Sequence, residues 1–267
     1  MSHLRSARIR QATREGFPFS VPAIRSLTEL TFDSAVTFFV GENGSGKSTL
    51  LEGLALATGL PTVGSAAASG DATLDAQRRL AKAIKLAWSA RTHRGFFLRA
   101  EDFFGFTKQL AHMRQELMGR LIEVDSAYEG RSDYARSLAK GPAAASLADM
   151  ERRYGVDLDA NSHGQSFLKL FQSRFVPGGL YLLDEPEAPL SPQSQLGVVG
   201  LLRDMVRQDA QFIVATHSPI LLAFPGAQIY SFDDGEVRPT EYEALEHVKL
   251  TREFLNEPAR FLRHLDV

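Results

Sequence analysis

The sequence predicts an α/β protein in which a mostly parallel sheet forms the core and a helical subdomain is inserted into it. Two observations support this fold class. Short apolar runs typical of buried strands lie near both ends of the chain, and helical patterns dominate the middle. The predicted strands are 36–40, 180–183, 212–216 and 228–232. Strands at both ends with a helical middle favour an α/β core that carries an insertion.

Composition excludes several classes of protein. The 267 residues suffice for one large domain or for a core with a subdomain. Lys and Arg number 30 against 32 Asp and Glu, a net charge of −2, which excludes a strongly basic nucleic-acid binder at whole-chain level. Cysteine is absent, so disulfides, a thiolate nucleophile and a cysteine zinc site are excluded. No apolar run approaches the ~18 residues of a membrane-spanning helix, and no secretory signal begins the sequence, so we expect a cytoplasmic protein without direct membrane insertion.

The pattern along the chain predicts one domain, 1–267, in two parts. Residues 1–70 and 166–267 form the predicted α/β core, and 71–165 form the predicted helical insertion. Helices are expected over 74–89, 108–128 and 137–154, the last broken near Gly141–Pro142, with a short strand at 96–98. A further helix is expected over 244–265, interrupted near Pro258.

A complete phosphate-loop motif follows the first predicted strand. Residues 41–48 read GENGSGKS, which satisfies G-x-x-x-x-G-K-[ST] between a strand and a helix. Glycines let the backbone approach a ligand, and successive N–H groups with the helix N-terminus then attract phosphate. Lys47 would reach the β- and γ-phosphates, and Ser48 would bind Mg²⁺. The alternative is a glycine-rich turn that fits the pattern by chance. The candidate nucleotide-binding residues are Gly41, Glu42, Asn43, Gly44, Ser45, Gly46, Lys47, Ser48 and Thr49.

Two adjacent carboxylates end the second apolar strand, in LYLLDEP (180–186). Such a pair is costly beside a buried strand unless positive charge faces it. Asp184 is the candidate Mg²⁺ ligand, and Glu185 is the candidate general base for water. The alternative is a solvated turn.

A histidine follows the third apolar strand, in FIVATHSP (212–219). This strand delivers His217 to the sheet edge where open α/β sheets bind ligands. There the imidazole could contact the γ-phosphate or position the water and Glu185. The alternative is a capping or core histidine, which is the commoner role of a lone histidine.

These motifs, in this order, resemble the ABC ATPase family with its Walker A and Walker B motifs. The stretch NSHGQ (161–165) resembles the family's signature LSGGQ in degenerate form, because Ser162, Gly164 and Gln165 match. The segment 187–192 stands where the family has its D-loop. The loop and the sequence before it resemble the ABC ATPases of DNA repair and chromosome maintenance and predicted AAA/ABC-type ATPases, but without a coiled-coil insert.

The resemblance implies an ATPase that uses ATP and Mg²⁺. In this family the phosphate loop and the signature of one chain cannot meet on one ATP, so the resemblance implies a head-to-tail homodimer with two ATP molecules between the subunits. Ser162, Gly164 and Gln165 would then contact the nucleotide held by the partner. Glu185 and His217 would be catalytic.

Three functions fit this resemblance. The first is an ATPase whose closure acts on a soluble partner or on DNA. The second is the ATP-binding subunit of a membrane transporter, which is disfavoured because the expected Q-loop position reads FFLRAEDFF (96–104) without glutamine. The third is a slow ATP-binding regulatory switch, which the intact Asp184–Glu185 pair and His217 disfavour.

DNA binding would need a basic face. Basic residues are concentrated near the N-terminus and in the predicted insertion, where they could form such a face. The alternative is that they lie in a flexible tail and on solvent-exposed helix faces without binding DNA. These residues are Arg5, Arg8, Arg10, Arg14, Arg78, Arg79, Lys82, Lys85, Arg91, Arg94 and Arg99.

Overall fold

The computed structural model describes residues 3–10, 15–63, 75–154 and 163–263. Its strands are β1 (Leu4–Ile9), β2 (Glu29–Thr31), β3 (Val36–Val40), β4 (Ile84–Trp88), β5 (Gly95–Arg99), β6 (Leu180–Asp184), β7 (Gln211–Ala215), β8 (Gln228–Ser231) and β9 (Arg238–Pro239). Its helices are α1 (Pro22–Ser26), α2 (Lys47–Thr58), α3 (Asp75–Ala83), α4 (Ala100–Ala127), α5 (Asp133–Tyr154), α6 (His163–Arg174), α7 (Pro192–Val206), α8 (Pro219–Leu222), α9 (Glu246–Asn256) and α10 (Pro258–Leu262).

The main sheet has six strands in the order β5-β6-β7-β3-β8-β9. All neighbouring pairs are parallel except β8 and β9. Every residue of β3, β6 and β7 is buried, which explains why these strands are continuous apolar runs rather than alternating ones. The predicted α/β fold of P-loop NTPases with a mostly parallel core sheet is confirmed.

Apolar side chains cover both faces of this sheet. On one face, the aromatic rings of Phe171, Phe175, Tyr181 and Phe212 pack against one another, in stacked, tilted and edge-to-face pairs, at centroid separations of 4.5 to 5.3 Å. On the other face, α2 packs against β6 and β7, and its leucines belong to one buried apolar cluster with Phe39 of β3 and Leu182 of β6. Packing on both faces therefore fixes the strands whose carboxyl ends carry the site.

A second, antiparallel sheet of order β2-β1-β4 lies beside the first. It shows that the predicted helix over 74–89 is wrong after residue 83, because α3 ends at Ala83 and the chain continues as β4. The segment Ile84–Trp88 satisfies both periods, with apolar residues at spacings of two and four. This segment pairs with β1, with Lys85 opposite Arg8, and the pairing stabilises it as a strand. The alternative of a flexible N-terminal tail is also wrong for β1.

Helices α4 and α5 pack against each other. The predicted break near Gly141–Pro142 is wrong, since α5 continues through Pro142. Residue 142 is exposed, so water can reach the carbonyl that loses its N–H partner there. The range 71–165 contains β4 and β5 as well as helices, and its division from the core stays a prediction. The interruption at Pro258 is confirmed, because this residue opens α10.

None of the helices in the described part of the chain is both long enough and apolar enough to span a membrane.

Candidate functional site

The phosphate loop connects the end of β3 to the start of α2. Its last glycine, Gly46, caps α2 with a φ of 104°, in the left-handed region that favours glycine. A Cβ at this position would lie 2.8 Å from Cγ1 of Val21. The loop therefore requires glycine at 46 both for its backbone conformation and for its close contact with the segment before α1.

Lys47 is buried at the first turn of α2, with 4% of its surface exposed. Its ammonium donates hydrogen bonds to the carbonyl oxygens of Gly41, at 2.7 Å, and Glu42, at 2.9 Å. Burial lowers the pKa of Lys47, and the carboxylates around it, that of Glu185 foremost, oppose this shift. A buried cation inside a loop of backbone N–H groups is suited to bind a polyphosphate.

Ser48 and Asp184 face each other across the site. The Ser48 hydroxyl donates to Oδ1 of Asp184 at 3.1 Å. Burial raises the pKa of Asp184 to about 7, the Ser48 hydrogen bond lowers it, and the Coulomb effects of Glu185 and Glu52 raise it while that of Arg99 lowers it. The protein groups around this buried carboxyl thus compensate its charge poorly.

The donor set at Ser48 and Asp184 fits Mg²⁺. A hydroxyl and a carboxylate are hard oxygen ligands, and Mg²⁺ in nucleotide sites uses one or two such groups together with phosphate and water. Within the residues that the structure describes, no group of three His, Asp or Glu side chains could hold a metal ion. A site with two protein ligands completed by phosphate is the arrangement that these residues support.

Glu185 and His217 lie side by side after β6 and β7. Nε2 of His217 is 3.6 Å from Oε1 of Glu185. Glu185 has a φ of 49°, which is uncommon for a residue with a side chain, and its N–H donates to the Ala215 carbonyl at 2.9 Å. The carboxylate is 45% exposed. It can therefore take a proton from a water molecule in the cleft.

Sequence reasoning missed Glu187 as part of this site. Its Oε1 accepts a hydrogen bond of 2.7 Å from the backbone N–H of His217. Burial raises the pKa of Glu187, and hydrogen bonds from the Thr216 side chain and the His217 N–H oppose the shift. The carboxyl thus fixes the backbone that carries His217. The sequence holds no signal for this role, because the contact spans 30 residues.

Asp233, after β8, is a second residue of the site that the sequence analysis did not identify. Its Oδ1 accepts the N–H of Glu42 at 3.0 Å. It also lines a pocket of about 560 Å³ beside the phosphate loop, together with 42–45 and 244–246. The last strand of the parallel set therefore contributes to the nucleotide side of the site.

The structure brings the phosphate loop, the Asp184–Glu185 pair and His217 to one edge of the sheet. In register, Asp184 stands opposite Ala215 of β7 and Arg99 of β5. Of the signature residues, Gly164 and Gln165 belong to the first turn of α6, and Ser162 lies outside the described residues. The role of the signature stays a prediction.

The fold and the loop geometry define a P-loop NTPase, and comparisons with known families specify it further. A family model described as "AAA domain, putative AbiEii toxin, Type IV TA system" matches residues 65–223, and one described as "AAA domain" matches 19–92. The first match covers more than half of the chain. The chain therefore belongs to this family of AAA/ABC-type ATPase domains, and the predicted resemblance is confirmed at that level.

Curated relatives are ATP-binding proteins. The chain is 28% identical over 200 residues to the macrolide export ATP-binding/permease protein MacB of Pectobacterium atrosepticum, an alignment that covers 74% of this chain and 28% of the relative. The chain thus spans less than a third of that relative. It is 25% identical over 223 residues to the lipoprotein-releasing system ATP-binding protein LolD of Hahella chejuensis, with 81% and 87% covered.

Two kinds of protein are among the solved structures that align with this chain. A nucleotide-free ATP-binding cassette from an ABC transporter aligns with 15% identity and a TM-score of 0.49, covering 95% of this chain and 96% of the other. The SMC head domain from Thermotoga maritima aligns with 14% identity and a TM-score of 0.45, covering 90% and 100%.

Proposed function

We propose that this chain binds ATP with Mg²⁺ and hydrolyses it to ADP and phosphate in a site completed by a second copy of the chain. The observation that carries the proposal is the convergence of Lys47, the Ser48–Asp184 pair and the Glu185–His217 pair at the carboxyl edge of the sheet. Each of these groups matches one requirement of phosphoryl transfer to water.

The proposed roles follow from position and charge. The loop N–H groups and Lys47 hold the phosphates, and Ser48 and Asp184 hold Mg²⁺, which neutralises charge on the phosphate oxygens when it is bound. Glu185 accepts a proton from water as the water oxygen bonds to the γ-phosphorus. The bond from that phosphorus to the bridging oxygen breaks, and ADP leaves. His217 holds Glu185 and the water in line, and Glu187 holds His217.

We propose that two chains enclose two ATP molecules. Ser162, Gly164 and Gln165 of one copy would seal the nucleotide held by the other, as the resemblance implies. ATP would then bind the closed dimer better than the open one, and this difference in affinity would drive closure. Hydrolysis would remove the bridging contacts and reopen the dimer.

Glu185→Gln tests this proposal, because it keeps the shape of the side chain and removes the base. We expect the variant to bind ATP, to lose at least ~100-fold of its turnover, and to accumulate as a dimer in ATP by light scattering. Lys47→Ala, as a control, should lose nucleotide binding. Full turnover of the Glu185→Gln protein would contradict the assignment of the base.

DNA is one proposed partner. The register of β1 and β4 brings two basic clusters of the sequence onto one sheet, with Arg5, Arg8 and Lys85 exposed. Glu29 neutralises part of this face through an ion pair of 2.8 Å to Arg8. A shift assay with duplex DNA across a salt series, with and without ATP, tests it, because phosphate contacts weaken steeply with salt. If duplex DNA does not bind at low salt, the proposed partner is a protein instead.

The names of the curated relatives favour a second candidate, the ATP-binding subunit of a membrane transporter. Tagged Glu185→Gln protein, locked with ATP, distinguishes the two. Retention of an integral membrane protein would support transport, and retention of DNA or of a water-soluble protein would support the first candidate.

A further inference from the structure

The pocket of about 560 Å³ beside the phosphate loop lies on the side of β3 away from the Glu185–His217 pair. In the sheet, β6, β7, β3 and β8 are neighbours in that order, ~4.8 Å apart from one to the next. Glu185 follows β6 and His217 follows β7, whereas residues 231–235, which line the pocket, end and follow β8. The loop follows β3, between the two. A nucleotide whose terminal phosphate faces Glu185 and His217 therefore directs its other end towards this pocket.

Hydrogen bonds hold one wall of the pocket against the loop and α1. Oδ1 of Asp233 accepts the N–H of Glu42 at 3.0 Å, and the Ser231 hydroxyl donates to Oδ2 of Asp233 at 2.8 Å. The Ser26 hydroxyl donates to the carbonyl of Gly235 at 3.2 Å, which ties the same wall to the end of α1. These contacts are made within the chain, so the shape of this wall does not depend on a ligand.

The opposite wall, 244–246, leads into α9. Leu245 is buried in the core. Just before it, the Tyr242 hydroxyl donates to the carbonyl of Pro219 at 3.1 Å. Both walls are thus fixed to the core, and the volume between them lies within the range of small-ligand pockets.

The charge of the lining identifies which end of a nucleotide fits. Four carboxylates line the pocket, those of Glu42, Asp233, Asp234 and Glu246. Within the part of the chain that the structure describes, no Lys or Arg side chain lines it. Like charges repel, so the pocket disfavours phosphate. Ionised carboxylates only accept hydrogen bonds, so they suit a neutral group that carries hydroxyl and amino donors. The nucleoside half of a nucleotide carries both, on its sugar and on its base.

Aromatic stacking contributes little in this pocket. Among the described residues of the lining, Phe232 is the only aromatic one. It is 1% exposed, and its ring packs against that of Phe39 at a centroid separation of 5.1 Å. A base in this pocket is therefore recognised through the polar atoms on its edge rather than through its faces.

We propose that this pocket binds the nucleoside half of the nucleotide, with its carboxylates as acceptors for sugar hydroxyls and base amino groups. The inference rests on the proposed function. It assigns the sugar and the base to the segments after β8 and before α9, and it leaves the phosphates to the loop and Lys47. A substitution in the pocket should therefore weaken a nucleotide and leave an inorganic polyphosphate unaffected.

The test fills the pocket and compares two ligands in Mg²⁺, AMP-PNP and inorganic tripolyphosphate, by isothermal titration calorimetry. Ala244→Phe places a ring in the pocket from an exposed position of its lining. Ala223→Phe is the matched control, because Ala223 is an exposed alanine that lines a different pocket, of about 610 Å³. We expect Ala244→Phe to weaken AMP-PNP by about tenfold or more and tripolyphosphate by less than about twofold. Ala223→Phe should change neither affinity.

Two outcomes separate this inference from the proposed function. If the unsubstituted chain binds neither ligand, both fall. If it binds both ligands and Ala244→Phe leaves both affinities unchanged, or weakens both equally, only the role of the pocket falls.

A measurement on the unsubstituted protein covers the case in which Ala244→Phe does not fold. With AMP-PNP and Mg²⁺ bound, nuclear Overhauser effects should connect sugar or base protons of the nucleotide to the methyl groups of Thr240 and Ala244, which line the pocket. The methyl group of Ala223 should show none. Absence of these effects at both Thr240 and Ala244 would overturn the proposal.

Discussion

The buried carboxyl of Asp184 should make the nucleotide-free protein less stable as the pH rises. Burial raises its pKa from 3.8 to about 7. Between these two values the folded state binds a proton that the unfolded state has lost, so the unfolding free energy falls with increasing pH. Integrated from about pH 5.5 to about pH 8, the loss amounts to about 2 kcal/mol. This stabilisation is complete below the unfolded pKa and is lost as the pH passes 7.

Asp184→Asn isolates this contribution, because asparagine keeps an acceptor for the Ser48 hydroxyl and does not titrate. The assay is urea unfolding of both proteins at the two pH values, without nucleotide and with a chelator. We expect the unsubstituted chain to lose about 2 kcal/mol more than the variant between them. The variant should therefore be the more stable protein at the higher pH. Asp204→Asn, at an exposed site on α7, is the control and should follow the unsubstituted chain.

An equal pH dependence of the Asp184→Asn and unsubstituted proteins would refute this reasoning. It would mean that the carboxyl is hydrated in solution or that a cation compensates it. Saturating ATP and Mg²⁺ should give the opposite order at the higher pH, since the metal binds the ionised carboxylate. A ligand that binds only the folded state then stabilises the unsubstituted chain more.

Three further substitutions are predicted from contacts around the site. Gly46→Ala should lower the unfolding free energy by about 1–3 kcal/mol and weaken ATP binding, because its Cβ would lie 2.8 Å from Val21; an unchanged urea midpoint would contradict this. Glu187→Leu should reduce turnover by ~10-fold or more with little change in ATP affinity, because it removes the acceptor of the His217 N–H. Steady-state assays measure the turnover and binding assays the affinity, and equal losses of turnover and affinity would indicate a general folding defect. Arg99→Met should destabilise the protein by about 1–3 kcal/mol in urea, because it removes the 2.7 Å partner of the largely buried Glu52; the double variant with Glu52→Met should recover most of this loss.

The parts of the fold that the sequence predicted are those set by local pattern. The strand at 36–40, the loop at 41–48 and the helix after it form one continuous unit, so neighbouring residues determine its structure. The strands at 180–184 and 211–215 are apolar because helices cover both faces of the sheet. Such a strand can be recognised from its own sequence, without knowledge of the strands that pair with it.

The parts that the sequence did not predict depend on contacts between distant segments. β4 is a strand because β1 pairs with it from about 80 residues away, and its residues alone satisfy a helical period equally well. Glu187 and Asp233 join the site through hydrogen bonds to residues 30 and 191 positions away. No spacing rule connects such pairs, because loop lengths between elements are free to vary.

Several of the proposed binding groups are hydrogen-bonded to other groups of the protein. The Lys47 ammonium is held by loop carbonyls, the Ser48 hydroxyl by Asp184, and the Glu42 N–H by Asp233. ATP and Mg²⁺ would exchange these hydrogen bonds rather than add to them, so the net gain per contact is modest.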